Sequence, residues 1–275
     1  MVKRIISTNE LVTGPPAEEM LQRALANDSK PLTVLDNACG GGVLTANLLN
    51  LAKNPNSEVK IARIVAADLD ENMVHYIQDR IDQSSWNNVD VLQGDQRALM
   101  LPDATFSYVF NNFGIFFCPD DDVALAETFR ILQPGGLAGF TTWSSIAWWL
   151  SLAVPALTQD IPEAPALPIP ESIFPAKGWE NPAVIRRKLA DAGFQDIEVK
   201  QYSFTPDVRP VAFAEACAAL TKGLAKRFWS NDENSRYAEA IEPAYLTYLY
   251  DNFPDGRWNG KMTANISIAR KKAAR

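Results

Sequence analysis

Asp36, Asp68 and Asp95 each close an apolar run: Val34-Leu35 leads to the first, Ile64-Val65-Ala66-Ala67 to the second and Val89-Asp90-Val91-Leu92-Gln93-Gly94 to the third. After Asp36 the chain reads Asn37-Ala38-Cys39-Gly40-Gly41-Gly42, then places Val43, Leu44, Ala46, Leu48 and Leu49 at helical spacing. A strand that breaks into glycines and then a helix is a nucleotide-type loop. Glycine lets the backbone approach a ligand, and the helix start leaves N–H groups without partners. A dinucleotide fingerprint keeps its acid about 20 residues beyond the glycines, on the ribose; this chain has Asp68 there and a further acid, Asp36, ahead of the loop. Carboxylates in series suit a ligand that offers donors and cations. S-adenosylmethionine is such a ligand, with an ammonium, a sulfonium, two ribose hydroxyls and an adenine amino group, and one carboxylate for the helix N-terminus.

On this reading Asp68 accepts from both ribose hydroxyls. Asp95 accepts from the adenine amino group while the Gln96 backbone N–H donates to a ring nitrogen, and Met73 and Phe113 offer apolar faces. Thr13, Asn37, Ala38, Gly40, Gly42, Leu69, Gly94, Asn111 and Asn112 complete the expected cofactor shell. A side chain at position 40 is expected to collide with the loop backbone. An aspartate at a strand end is also the ordinary cap of the next helix, so the reading rests on three in register.

The elements that must position these groups alternate. Strands are expected near 32–35, 61–67, 88–92, 105–110 and 136–142, with helices near 17–25, 43–52, 71–83 and 121–132, which implies a parallel sheet. Asp120-Asp121-Asp122 reads as the acidic cap of the last of these helices, and Gln133-Pro134-Gly135-Gly136 stops it. A helix over 183–192 ends at Gly193, a strand follows over 196–204, and a final strand runs over 262–269. Two stretches interrupt the scheme, and both are expected over the ligand crevice. Residues 144–179 carry Trp148, Trp149, Phe174 and Trp179 with prolines 155, 162, 165, 168, 170 and 175, and residues 211–253 read as two amphipathic, aromatic helices. The expected organisation is a cofactor-binding core over 1–143, an aromatic and proline-rich substrate cap over 144–180, and the rest of the core over 181–275 with a helical lid at about 211–253.

Composition bounds the partners. With 275 residues, 47% of them hydrophobic, the chain can bury a full core. A net charge of −7 argues against nucleic acid, whose backbone calls for clustered Lys and Arg. Three cysteines without paired spacing suit a reducing compartment. The first residues lack a signal-peptide core, and the longest apolar stretch, 146–157, contains Pro155. We therefore expect a cytoplasmic monomer or weak homodimer with no membrane partner. No metal is expected either, because His75 is the only histidine and no cysteine or carboxylate cluster has ligand spacing.

The runs Val34 to Gly40, Asp68-Leu69-Asp70-Glu71-Asn72-Met73, Phe129-Arg130-Ile131-Leu132-Gln133-Pro134-Gly135-Gly136 and Thr142-Trp143 resemble the class I S-adenosylmethionine-dependent methyltransferases. Within them the chain is similar to fungal secondary-metabolite enzymes such as the gliotoxin bis-thiomethyltransferase. Gly178-Trp179, Ala192-Gly193-Phe194 and Phe228-Trp229-Ser230 extend the likeness. The resemblance implies an α/β, Rossmann-like, seven-stranded and mostly parallel sheet with helices on both faces, an antiparallel last strand and a helical lid inserted before it. Ala38 departs from the pattern, standing where many members have their first glycine.

Methyl transfer from a sulfonium is an in-line displacement, so alignment in a dry pocket supplies much of the acceleration. With one histidine, acceptors that need little help are favoured: a thiol of pKa about 8.5 is partly ionised at neutral pH, and a phenol near 10 needs more assistance. Sulfur is the first choice of acceptor on a hydrophobic small molecule, with oxygen or nitrogen second and Asp, Glu or Tyr open as a base. Phe113, Phe116, Trp143, Trp148, Trp149 and Trp179 are the candidate walls of its pocket. A nicotinamide oxidoreductase would want a glycine where Leu44-Thr45 stands, and a nucleic-acid amino-methyltransferase would want two prolines where Asn111-Asn112-Phe113-Gly114 stands. A non-methylating relative on the same fold, a regulator or cyclase, is the other alternative.

Overall fold

The structure, a computed structural model, describes residues 2–26, 30–169 and 174–273; Pro170 lies outside them. Its strands are β1 (Pro31–Asn37), β2 (Lys60–Asp68), β3 (Val89–Gln93), β4 (Phe106–Asn112), β5 (Leu132–Ser145), β6 (Gln195–Phe204) and β7 (Met262–Arg270). They form one sheet in the order β3-β2-β1-β4-β5-β7-β6. The pairs β1–β2, β1–β4, β2–β3 and β4–β5 are parallel. Gly135 N–H donates to the Lys271 carbonyl at 3.0 Å and Lys271 N–H to that of Gly136 at 2.9 Å, which joins the start of β5 to the end of β7 and makes β7 antiparallel. The parallel core is what the alternation implied, and the seven-stranded Rossmann-like α/β architecture is what the resemblance implied.

The helices are α1 (Val2–Leu25), α2 (Val43–Lys53), α3 (Glu71–Ser84), α4 (Asp121–Ile131), α5 (Val154–Asp160), α6 (Pro182–Asp191), α7 (Pro210–Phe228), α8 (Asn231–Tyr237) and α9 (Ile241–Asn252). Three depart from expectation. α1 does not begin near Ala17 but passes through Pro15 and Pro16, residues that remove backbone donors and ordinarily end a helical pattern. The excursion after Ser144 is helical in part, a wide turn at Trp149–Ala153 leading directly into α5, with Pro155 just inside that junction. The second of the two amphipathic helices is broken, because Ser230 and Glu233 close a capping box that starts α8 separately and a tight turn at Ala238–Ala240 precedes α9.

The chain divides into two compact units. The larger comprises Thr13–Ser144, Phe174–Tyr202 and Ala264–Arg275. Successive strand residues point to opposite faces, and here both faces are covered: Leu35, Val65, Val109 and Phe140 pack with Ile131, Ile185 and Leu189, while Val34, Ile64 and Phe110 pack with Met20, Leu21, Leu44 and Leu48. That is why β1, β2 and β4 read as continuous apolar runs.

The smaller unit comprises Met1–Val12, Ser145–Ile173 and Ser203–Thr263. α7 packs against α9, with the hydroxyls of Thr221 and Tyr245 2.8 Å apart in its interior. Phe213 stacks on Trp258, whose indole N–H donates to Ser151 Oγ at 2.9 Å. Trp148 and Trp149 meet edge to face and are both buried in this unit. Among the described residues no helix is long and apolar enough to cross a membrane.

Candidate active site

The site grows at the carboxyl ends of β1 to β5, from residues 13 to 143 of the larger unit. Asp36 is fully buried. Its Oδ2 accepts from Thr45 N–H at 3.1 Å and Thr45 Oγ1–H at 2.7 Å, while its Oδ1 has no partner. Burial pushes its pKa up to about 6, with the Thr45 bonds opposing and the Asp68 charge adding to the rise. The second carboxylate braces the loop itself. Asp68 Oδ2 accepts from Gly40 N–H at 2.7 Å and Oδ1 from Asp70 N–H at 3.0 Å, so one side chain fixes the glycine loop and the entry to α3. The Asp68 carbonyl accepts from Gly94 N–H at 2.9 Å, joining the turn after β3 to the same point.

The loop conformation explains its residues. Gly40 and Gly42 have φ of +51° and +79°, and a Cβ at Gly42 would lie 2.7 Å from Ile77 Cδ1. A Cβ at Gly40 would meet nothing within 4 Å. The expected collision with the loop backbone is therefore absent: glycine is needed there for its left-handed φ, and the space over it is open. Ala38 also lies in the left-handed region, at φ +57°. Its Cβ comes within 2.5 Å of where a side chain on Gly114 would begin, and Asn111 Oδ1 within 2.9 Å. Gly114→Ala is expected to destabilise the fold by about 1–3 kcal/mol through overpacking, and Ala38→Gly to recover much of that in the double mutant. Urea unfolding of the four proteins checks this, and additive losses would contradict it.

Asp95 is engaged by a cation that the sequence reading passed over. Arg97 donates to both its oxygens and reaches Asp120 as well. That guanidinium holds the Asp95 carboxyl below its usual range. Asp120 and Asp121 are not caps as expected. Asp120 makes no side-chain cap bond, and Asp121 Oδ2 receives Trp179 Nε1–H at 2.7 Å and Lys188 Nζ at 2.6 Å.

A neutral network joins these groups to β4 and β5. Asn111 Nδ2 donates to Gln96 Oε1 at 3.0 Å, and its Oδ1 accepts from Gly114 N–H at 2.9 Å. Asn112 Oδ1 accepts from Thr141 Oγ1–H at 2.6 Å, and its Nδ2 reaches the Thr13 carbonyl at 3.5 Å. Thr141 Oγ1 and carbonyl both accept from Phe113 N–H at 3.1 Å, holding Phe113 at φ +58°. In that pose its ring stacks on half-buried Trp143, centroids 4.1 Å apart. Thr141 and Arg97 are the functional candidates missed in the sequence; D-x-R at 95–97 was the one available signal for either.

Other expected residues fall elsewhere. Trp179 lies in the core of the larger unit, its carbonyl taken by Thr142 and Asn265 and its indole by Asp121. Phe116 is buried against Phe117 and Phe174. Leu69, exposed, and Met73, half-buried, remain beside Asp68 at the entry to α3. His75 is exposed on α3 with Nδ1 2.9 Å from its own helix's Glu71 carbonyl. Burial pushes the thiols of Cys39, Cys118 and Cys217 up, so none is a ready nucleophile. Among the described residues no three His, Cys, Asp or Glu side chains are grouped to hold a metal ion.

The donor set fits S-adenosylmethionine on two observations. The buried Asp36 Oδ1 lacks a partner, and the place a Gly40 side chain would fill is open. Asp36, Gly40, Asp68, Asp95 and Gln96 are the groups that would hold it.

The chain is similar to known methyltransferases. Residues 19–151 match the ubiE/COQ5 methyltransferase family. Methyltransferase tpcH of Aspergillus fumigatus is 30% identical over 246 residues, 88% of this chain and 86% of that protein. The acetylaranotin bis-thiomethyltransferase of Aspergillus terreus is 26% identical over 249 residues, 89% of this chain and 84% of that one. The structure of Haemonchus contortus phosphoethanolamine N-methyltransferase 2 in complex with S-adenosyl-L-methionine superposes with a TM-score of 0.54 at 17% identity, covering 93% of this chain and 52% of that one.

Proposed function

Since the chain belongs to the S-adenosylmethionine-dependent methyltransferases, we propose that its acceptor is an apolar, ring-containing small molecule and that the methyl goes to a thiol sulfur. The observation that carries the acceptor class is the end of β4 and β5. Asn111, Asn112, Phe113, Thr141, Thr142 and Trp143 are all uncharged, and Phe113 stacks on Trp143 at 4.1 Å. A flat apolar molecule gains from such a surface, and a charged one finds no counter-ion there. Sulfur is favoured because the only histidine is bound to its own helix and a thiol needs no protein base. A relative named for bis-thiomethylation points the same way.

When bound, S-adenosylmethionine would supply an electrophilic methyl open to in-line attack by the acceptor's lone pair, with S-adenosylhomocysteine as the leaving group. The chain's own part is alignment. Asp68 holds Gly40 and the loop, Thr141 fixes Phe113, and the Phe113–Trp143 pair orients the acceptor and excludes water. The acceptor thiol gives its proton to solvent before transfer.

A dithiol natural product and its phenolic and amine analogues, incubated with labelled cofactor at several pH values, test this. The expected product is the S-methyl compound, formed at a rate that rises toward the thiol's pKa and survives dialysis against a chelator. Turnover of phenols or amines alone, lost on one carboxylate or tyrosine substitution that leaves cofactor binding intact, would establish general-base oxygen or nitrogen transfer instead.

A further inference from the structure

We infer that Arg97 is a positioning residue for nucleobase recognition: by engaging both oxygens of Asp95 it holds in one orientation the carboxylate that would accept from the exocyclic amino group of the cofactor's adenine. The inference rests on the reading of Asp95 as the residue at the adenine end of the site. An ionised carboxylate offers roughly four lone-pair directions. At Asp95 three donors from one residue occupy three of them. Arg97 N–H donates to Oδ1 at 2.9 Å, Nε–H lies between the two oxygens at 3.1 and 3.0 Å, and Nη2–H reaches Oδ2 at 2.6 Å. Both oxygens are gripped, so the carboxylate is fixed in rotation before a ligand arrives.

The same guanidinium anchors the arrangement outside the turn. Its Nη1 donates to Asp120 Oδ2 at 2.6 Å, just ahead of α4. Within the turn, Ala98 N–H donates to the Asp95 carbonyl at 2.8 Å, and the intervening Gln96 side chain accepts from Asn111. The Gln96 backbone N–H is thereby carried on a segment held from three sides. Side-chain exposures of 30% for Asp95, 38% for Arg97 and 55% for Asp120 make this a poor stabilising bridge. Orientation is what such a fork supplies best, because its geometry matches a carboxylate in two places at once.

A structural role and a recognition role separate in one ratio. Affinities for S-adenosylhomocysteine and for its 6-oxo counterpart, S-inosylhomocysteine, are measured by calorimetry on wild type, Arg97→Ala, Arg97→Lys and Asp120→Asn. Wild type is expected to favour the amino ligand by at least about tenfold, since a site built around a donor rejects the analogue lacking it. Arg97→Ala should reduce that preference to about threefold or less, with Arg97→Lys and Asp120→Asn in between. Equal weakening of both ligands, with the ratio unmoved, would overturn the inference and leave Arg97 a turn-former. If Arg97→Ala does not fold, the ratio in the other two variants decides by the same criterion. Wild type that binds neither ligand overturns the cofactor reading and the inference with it; wild type that binds both with an unmoved ratio in the variants overturns the inference alone.

Discussion

Asp68→Ala is expected to weaken S-adenosylmethionine binding by about 2–4 kcal/mol, roughly 30- to 1,000-fold, while the protein stays folded. Two losses combine. The carboxylate no longer receives Gly40 N–H at 2.7 Å and Asp70 N–H at 3.0 Å, so the glycine loop and the start of α3 are both released. Each oxygen also keeps a further lone pair, and on the reading of Asp68 as the ribose residue these would accept from the diol. Asp68→Asn, with one acceptor oxygen left, should fall between. Calorimetric titration of the three proteins measures the effect, and an alanine variant that binds as wild type would remove the ribose assignment.

The second large effect is a pH dependence that Asp36→Asn should abolish. Asp36 ordinarily ionises near 3.8 and does so near 6 in the fold, because burial disfavours its charge. With the folded value raised, the stabilisation from the neutral form is fully present below about pH 4 and is lost as the pH rises through about 6. Above that window the buried carboxylate costs on the order of 3 kcal/mol relative to its protonated form. Asparagine cannot ionise and retains an acceptor for Thr45. Urea midpoints from about pH 4 to pH 8 should therefore show the variant gaining on wild type as the pH rises, and parallel curves would contradict the assignment.

Strand ends were legible because the apolar runs before Asp36 and Asp68 signal buried parallel strands, while the half-buried Val89, Val91 and Leu92 before Asp95 mark the edge strand beside them. The loop was legible for the same reason, since only glycine adopts φ +79° beside Ile77 without strain. Side-chain pairing was not. Nothing local says that Asp121 serves Trp179 58 residues away, or that Thr141 sets the Phe113 conformation from the next strand. The helical path of α1 through Pro15-Pro16 was hidden because proline reads locally as a stop, whatever the surroundings tolerate.

The sheet order has a consequence for biosynthesis. β6 is made before β7, yet β7 lies between β6 and β5. On the ribosome, β1 to β5 can pair as they emerge, but the outer side of β5, fourteen residues long, stays unpaired until Met262–Arg270 arrives. During that interval β6 has no neighbour either. A nascent chain therefore displays two naked strand borders while the helical segment over 205–261 is translated, and such borders recruit other chains. Premature termination in that interval would yield a species prone to aggregate, so the last strand acts as the closure on which solubility depends.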